Sequence, residues 1–268
     1  MLGERPIGVF DSGIGGLTVL RALLEALPGE QFLYLGDTAR LPYGTKTAAT
    51  VERYALQAGS ELVRRGIKCL VVACNTASSA ALPMLRRHFA PLPVQGVIEP
   101  GAAAAVAASR GGRIGVLATE ATVRSGAYEQ AIHALRPDAR VTSIAATLFV
   151  ALAEEGWTDG EVAMLTARRY LEELRAASGG IDTLVLGCTH FPPFMPLFRE
   201  LLPPDCAIVD SAQTTAAAVR AALPAARRTA PGPLRLLATD GLERFARVGG
   251  HFLGHALDPA QIERVDLA

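Results

Sequence analysis

The sequence predicts an α/β protein of two pseudo-symmetric three-layer domains with mainly parallel sheets and an active site in the interdomain cleft. Three observations lead there: the length, the rhythm of the apolar runs and an internal echo. At 268 residues the chain exceeds the usual single-domain size, so two domains, each long enough for a proper core, are expected. Short apolar runs alternate with longer stretches that carry apolar residues at helical spacing, the rhythm of a parallel sheet covered by helices on both faces. The echo links Ile7–Asp11 to Ile114–Ala118 and Leu70–Thr76 to Leu184–His190, at nearly equal offsets of 107 and 114 residues.

In chain order the predicted strands are IGVF (7–10), FLYLG (32–36), CLVVA (69–73), VQGVI (94–98), RIGVLA (113–118), RVTSIAA (140–146), TLVLG (183–187), AIVD (207–210) and LRLLAT (234–239). Residues 16–27, 48–65, 122–135, 160–176 and 211–223 read as crossover helices. The Gly- and Pro-containing segment 96–104 and the turn at 208–215 are natural crossing points. They make the second domain, residues 97–211, an insertion into a first domain of residues 1–96 and 212–268.

Composition narrows the function. Half of the residues are hydrophobic, the 26 basic and 26 acidic side chains balance, and no block of like charge occurs. Neither a nucleic acid nor a membrane is the expected partner; a small molecule is. No export signal or span-length apolar run is evident, so a cytoplasmic protein is expected, with Cys69, Cys74, Cys188 and Cys206 as free thiols.

The first turn, DSGIGGLTVL, invites a dinucleotide reading, with Asp37 where a ribose-binding carboxylate would sit. It fails twice: Thr18 occupies the third glycine position, and Asp11 places a negative charge where a pyrophosphate must approach. Asp11 and Ser12 at a strand's carboxyl end suit an ammonium group or a polar catalytic partner, and a plain helix cap is the competing reading. The loop LGDTARLPYGTKT (35–47) is tightened by Pro42 and Gly44, with Tyr43 able to face the same cleft.

The cysteines divide in two. Cys69 and Cys206 read as small buried hydrophobes. Cys74 and Cys188 each end an apolar strand, follow a small residue and precede hydrogen-bonding side chains leading towards a helix, at the sheet edge where open α/β folds bind ligands. Helix-start amides favour a thiolate, and lowering an ordinary thiol from ~8.5 by about 1.5, roughly 2 kcal/mol, ionises half of it at neutral pH. Two such groups facing one substrate can remove a proton from one side and deliver one from the other, inverting a carbon centre.

Other chemistries fit less well. A cysteine hydrolase leaves the second cysteine motif without a role. A pyridoxal enzyme needs a Schiff-base lysine, and Lys46 and Lys68 stand in no comparable setting. His251 and His255 lack the glutamate of the zinc-protease motif and read as surface or packing residues.

The segments FDSGIGGLTVL, LGDTARLPYG, CNTAS, EPG, LGCTHFP and the late FLG together resemble the glutamate racemases of the aspartate/glutamate racemase superfamily, over nearly the whole chain. Aspartate enzymes typically carry a glutamate where this chain has His190, so the CTH triplet favours glutamate. The resemblance implies cofactor-independent interconversion of L- and D-glutamate, without metal, in a bacterial cytoplasm that supplies D-glutamate to peptidoglycan. A homodimer is the expected assembly. It further implies that Cys74 and Cys188 are the two acid/base residues, with Asp11 and His190 as their respective assistants and Glu154 as a further catalytic residue. Asp11-Ser12, Tyr43-Gly44, Asn75-Thr76 and Thr189-His190 match the family's substrate-contacting pairs. The chain departs from the usual pattern at Ala146-Thr147 and Ala151, beside Glu154, and at Asp240. A non-catalytic amino-acid sensor that kept the cleft is the alternative from a different class.

Overall fold

Apolar runs become strands here because helices cover both faces of each sheet, leaving no solvated face to impose alternation. The computed structural model describes residues 5–223 and 230–267, so the extreme ends of the expected first domain, residues 1–4 and 268, lie outside the described residues. The elements are β1 (Ile7–Asp11), α1 (Leu17–Ala26), β2 (Phe32–Gly36), α2 (Ala48–Arg64), β3 (Cys69–Val72), α3 (Asn75–His88), β4 (Val94–Gly96), α4 (Ile98–Ala108), β5 (Arg113–Ala118), α5 (Glu120–Ser125), α6 (Ala127–Leu135), β6 (Arg140–Ala145), α7 (Leu148–Glu154), α8 (Gly160–Ser178), β7 (Thr183–Gly187), α9 (Met195–Leu201), β8 (Ala207–Asp210), α10 (Ser211–Ala222), β9 (Leu234–Ala238), α11 (Leu242–Leu253) and β10 (Ile262–Arg264).

Two sheets result, in a two-domain α/β fold. One runs β10-β9-β2-β1-β3-β4 and the other β6-β5-β7-β8, and every strand pair is parallel. The four strands β2-β1-β3-β4 of the first sheet and β6-β5-β7-β8 of the second follow the same order. The echo extends to register: Ile7 pairs with Cys69 as Ile114 pairs with Thr183, and Leu70 with Val94 as Leu184 with Ile208. Cys74 and Cys188 therefore leave equivalent strands at equivalent sheet edges.

Each sheet is the middle of three layers. Phe10, Leu33, Leu35 and Val72 pack against α2 and α3 through Ala55, Leu62, Ala81 and Leu85. The opposite face, with Val9, Tyr34, Val71 and Leu236, meets α1 and α11. That cluster continues through Ala212, Ala216 and Val219 of α10 to Leu184 and Leu186 of the second sheet and to Phe149 and Leu174 of α7 and α8. Val116, Val185 and Val209 form the remaining core with α4 and α6. The two lobes thus share one apolar core rather than hanging from linkers.

Three details differ from the sequence reading. The stretch 122–135 is not one helix but the end of α5 and all of α6, broken at Gly126 with its left-handed φ of 63°. The run 94–98 is a strand only to Gly96, and Ile98 already opens α4, because a short apolar run does not distinguish a strand from a buried helix start. The edge strand β10 went unread: it has three residues, of which only Ile262 is buried.

The α7 helix is anchored by Phe149, which is fully buried and lies 4.6 to 5.5 Å, ring centre to ring centre, from Tyr170, Phe191, Phe194 and Phe198. Phe149→Ala is expected to lower stability by about 3–5 kcal/mol in urea denaturation. A loss below about 1 kcal/mol would show that the cluster repacks without it.

Candidate active site

The cysteine ending the β3 strand becomes the N-cap of α3, its sulfur accepting from the Ala77 N–H at 3.4 Å. The Cys74 thiol also donates to Ser12 Oγ at 3.4 Å, so Ser12 rather than Asp11 touches it. The expected ease of ionisation is reversed. Burial pushes the thiol up, the Asp11 carboxylate pushes the same way, and the Ser12 and Ala77 hydrogen bonds do not offset them, so Cys74 is pushed up to about 12. The helix start still favours the thiolate, but lost hydration and the facing Asp11 carboxylate outweigh it.

The second cysteine lacks that cap. A turn closed by Phe191 N–H on the Cys188 carbonyl, then a single 3-10 turn at Pro192–Phe194, separate it from α9. Its polar partner is instead His190, whose Nδ1 lies 3.8 Å from Cys188 Sγ. The other ring nitrogen, Nε2, is 3.2 Å from Glu154 Oε1 at the end of α7, and Glu154 Oε2 accepts from Arg244 of α11 at 2.8 Å. Burial alone would hold the His190 pKa down, but its bonds to Cys188 and Glu154 win and push it up to about 10. Burial likewise opposes ionisation of Glu154, yet His190 and Arg244 hold its carboxyl below the usual range. The raised pKa favours the imidazolium form of His190, in which one ring N–H points to Cys188 Sγ and the other to Glu154.

Cys74 and Cys188 line one cavity of about 270 Å³. The first lobe contributes Ser12, Tyr43, Gly44, Asn75 and Thr76, and the second contributes Glu154, Thr189 and His190. Asp11 is the one expected contact residue that does not line it. Fully buried behind the cavity, it accepts from the Gly13 N–H at 2.9 Å, and burial raises its pKa against the pull of the His190 charge. From there it acts on Cys74 through space and holds the β1–α1 turn. It is no helix cap either, since Gly16 stands at the N-cap of α1 without a side-chain bond.

The lobes meet closely around the cavity. A Cβ on Gly15 would lie 2.4 Å from the His190 ring, and one on Gly44 would lie 2.9 Å from Thr119 Cβ, so neither position admits a side chain without parting the lobes. Thr18, which breaks the dinucleotide pattern, donates across the seam to the Thr189 carbonyl at 3.1 Å. Thr76 Oγ1 lies 2.8 and 3.2 Å from the hydroxyls of Thr119 and Thr122, and Tyr128 donates to Asn75 Oδ1 at 2.7 Å. Asp37 is committed to structure: it accepts from Tyr43, from Arg40 at 2.7 Å and from Thr239 at 3.1 Å, fixing the Tyr43-Gly44 turn.

Thr119, Thr122, Tyr128 and Arg244 were not singled out in the sequence. Thr119 was within reach, because the 107-residue offset maps Ser12 onto it. Tyr128 and Arg244 are single polar residues on amphipathic helices and carry no local signal. Among the residues set aside, Cys69 and Cys206 are buried away from the cavity, and His251 and His255 are exposed.

Comparison with known proteins bears on this geometry. Residues 7–252 match the family model described as Asp/Glu/Hydantoin racemase. A glutamate racemase of Geobacter metallireducens is 51% identical over 257 residues, covering 94% of each chain. The crystal structure of glutamate racemase from Francisella tularensis in complex with D-glutamate is similar with a TM-score of 0.90 at 34% identity, over 99% of this chain and 98% of that one. The structure of glutamate racemase from Thermus thermophilus in complex with β-chloro-D-alanine gives 0.87 at 44% identity, again over 99% and 98%. With a family model spanning most of its length around a cavity that holds both cysteines, this chain belongs to the Asp/Glu/Hydantoin racemase family of enzymes.

Proposed function

We propose that the protein interconverts L- and D-glutamate by a two-base mechanism carried by Cys74 and Cys188, without metal or organic cofactor. The observation that carries this reading is one cavity receiving thiols from two lobes in opposed electrostatic settings: an imidazolium beside Cys188, a buried carboxylate behind Cys74. Cys188, as thiolate, takes the α-proton from one face of the substrate. Cys74, held as neutral thiol, delivers its proton to the other face, and the carbanion between them becomes the opposite enantiomer. One turnover leaves the proton inventory exchanged, Cys188 protonated and Cys74 ionised, which is the state that runs the reverse direction. Both thiolates together would repel, as the mutual influence of Cys188 on Cys74 indicates, so one proton is shared by the pair.

Around the reacting carbon, the hydroxyls of Ser12, Thr76 and Thr189, the Asn75 amide and the backbone at Tyr43-Gly44 suit two carboxylates and an ammonium group. Glutamate is supported as substrate by the names of the curated relatives and by D-glutamate in the related crystal structure. The product then enters peptidoglycan in the cytoplasm. A cytoplasmic setting agrees with the absence of any helix, among the described residues, long and apolar enough to cross a membrane, and with the free thiols. For the homodimer, the support is the family resemblance alone.

Incubation with L-glutamate in deuterated buffer is expected to give loss of optical rotation together with α-deuteration; an intact sample showing neither is not a racemase for this substrate. Cys74→Ala and Cys188→Ala are each expected to lower racemisation by at least about 10³-fold, and full activity in either variant rules out the two-thiol scheme. Dialysis against a chelator is expected to leave the rate unchanged.

The pH dependence has a definite sign. His190 carries a raised folded pKa, so its contribution to stability is complete below the ordinary histidine value and is lost as pH rises towards about 10. Glu154, whose pKa is depressed, contributes above the ordinary carboxylate value and loses that contribution as pH falls. Glu154→Gln removes a group that raises His190, and is expected to move the alkaline limb of kcat to lower pH by roughly one unit. An unmoved limb would show that His190 does not depend on Glu154.

A further inference from the structure

We infer that Arg244 is a positioning residue acting across the interlobe seam: it fixes Glu154, and through Glu154 the ring of His190, only when the two lobes are together. This rests on the racemase reading above. Arg244 stands in the first turn of α11, which packs against α1 on the first sheet's side of the molecule. Glu154 and His190 belong to α7 and to the turn after β7, beside the second sheet. The 2.8 Å bond from the Arg244 guanidinium to Glu154 Oε2 therefore joins one lobe to the other.

The geometry of the carboxylate gives this bond its consequence. Glu154 has two oxygens with one partner each: Oε2 takes Arg244, and Oε1 is left facing His190 Nε2 at 3.2 Å. A carboxylate pinned at one oxygen cannot rotate away from the imidazole, and Arg244 also approaches Glu155 Oε1 at 3.8 Å, which limits its own wandering. Helix α11 adds a second hold on the same ring, because Phe252 meets His190 edge to face at 5.3 Å between centroids. Gly15 of the first lobe closes the remaining side. The groups that face the His190–Glu154 pair are thus Cys188, the Asp11 charge and Arg244, and only Arg244 is an additional cation.

A surface ion pair of this exposure, with Arg244 44% open to solvent, contributes little to stability, so its effect is expected in the reaction rather than in the fold. Nor does Arg244 line the cavity, so it is not a substrate contact. Losing it should slow the proton-transfer steps and leave substrate affinity in place.

The test is kinetic, on the full chain. Arg244→Met is expected to lower kcat about five- to tenfold with KM within about twofold, and Arg244→Lys to recover more than half of the loss. In a Glu154→Gln background the same Arg244→Met change should alter kcat by less than about twofold, since its effect passes through that carboxylate. Arg247→Met removes an exposed cation from the same helix and should leave kcat unchanged. The inference is overturned by unchanged kcat in Arg244→Met, by a loss confined to KM, by an equal loss in the Glu154→Gln background, or by an equal loss in Arg247→Met. An unsubstituted protein that does not racemise glutamate overturns the racemase reading instead, which is a separate result.

Discussion

Keeping a protonated imidazole in an apolar seam works against its desolvation, and the cleft is organised around doing so. Burial on its own favours neutral His190, and only the sulfur on one side and the Glu154 carboxylate on the other reverse that preference. The first lobe surrounds the same pair with the Gly15 turn, the Phe252 ring and the Arg244 cation. The charge cluster therefore draws on groups from both lobes. The continuous apolar core through α10 provides the mechanical continuity, and the threonine hydroxyls at the opposite rim provide the polar seal.

The duplicated topology explains both the likeness of the two thiols and their difference. Shared strand order and register bring Cys74 and Cys188 to equivalent edges, yet the residues around them do not obey the symmetry. Where the first lobe has Asp11 the second has Ala118, and where the second has His190 the first has Thr76. One thiol thus has an anion behind it and the other a cation beside it.

Much of the architecture was legible because doubly covered strands write themselves as unbroken apolar runs, and nine of them were read at their places, with the 94–98 run too long by its helical end. The edge strand Ile262–Arg264 was not, since a single buried residue makes no pattern. The site was legible where chemistry-bearing residues adjoin a strand end: Ser12, Asn75, Thr76, Thr189 and His190 all reach the cavity beside the two cysteines. Residues that hold its lining from elsewhere in the chain, such as Tyr128 on Asn75 and Arg244 on Glu154, were not, because those contacts span 53 or 90 positions.

What the sequence by itself determined is the doubled α/β plan and the pairing of Cys74 with Cys188, since strand periodicity and local spacing are properties of neighbours along the chain. What only the tertiary structure decided is the electrostatic setting around each. The helix start at Cys74 suggested an easy thiolate, but burial and Asp11 override it. The raised pKa of His190 beside Cys188 depends on Glu154, which arrives from a separate helix and is itself held by Arg244 from another. Desolvation and through-space charge depend on where the folded chain puts distant groups, and no local pattern encodes that sum.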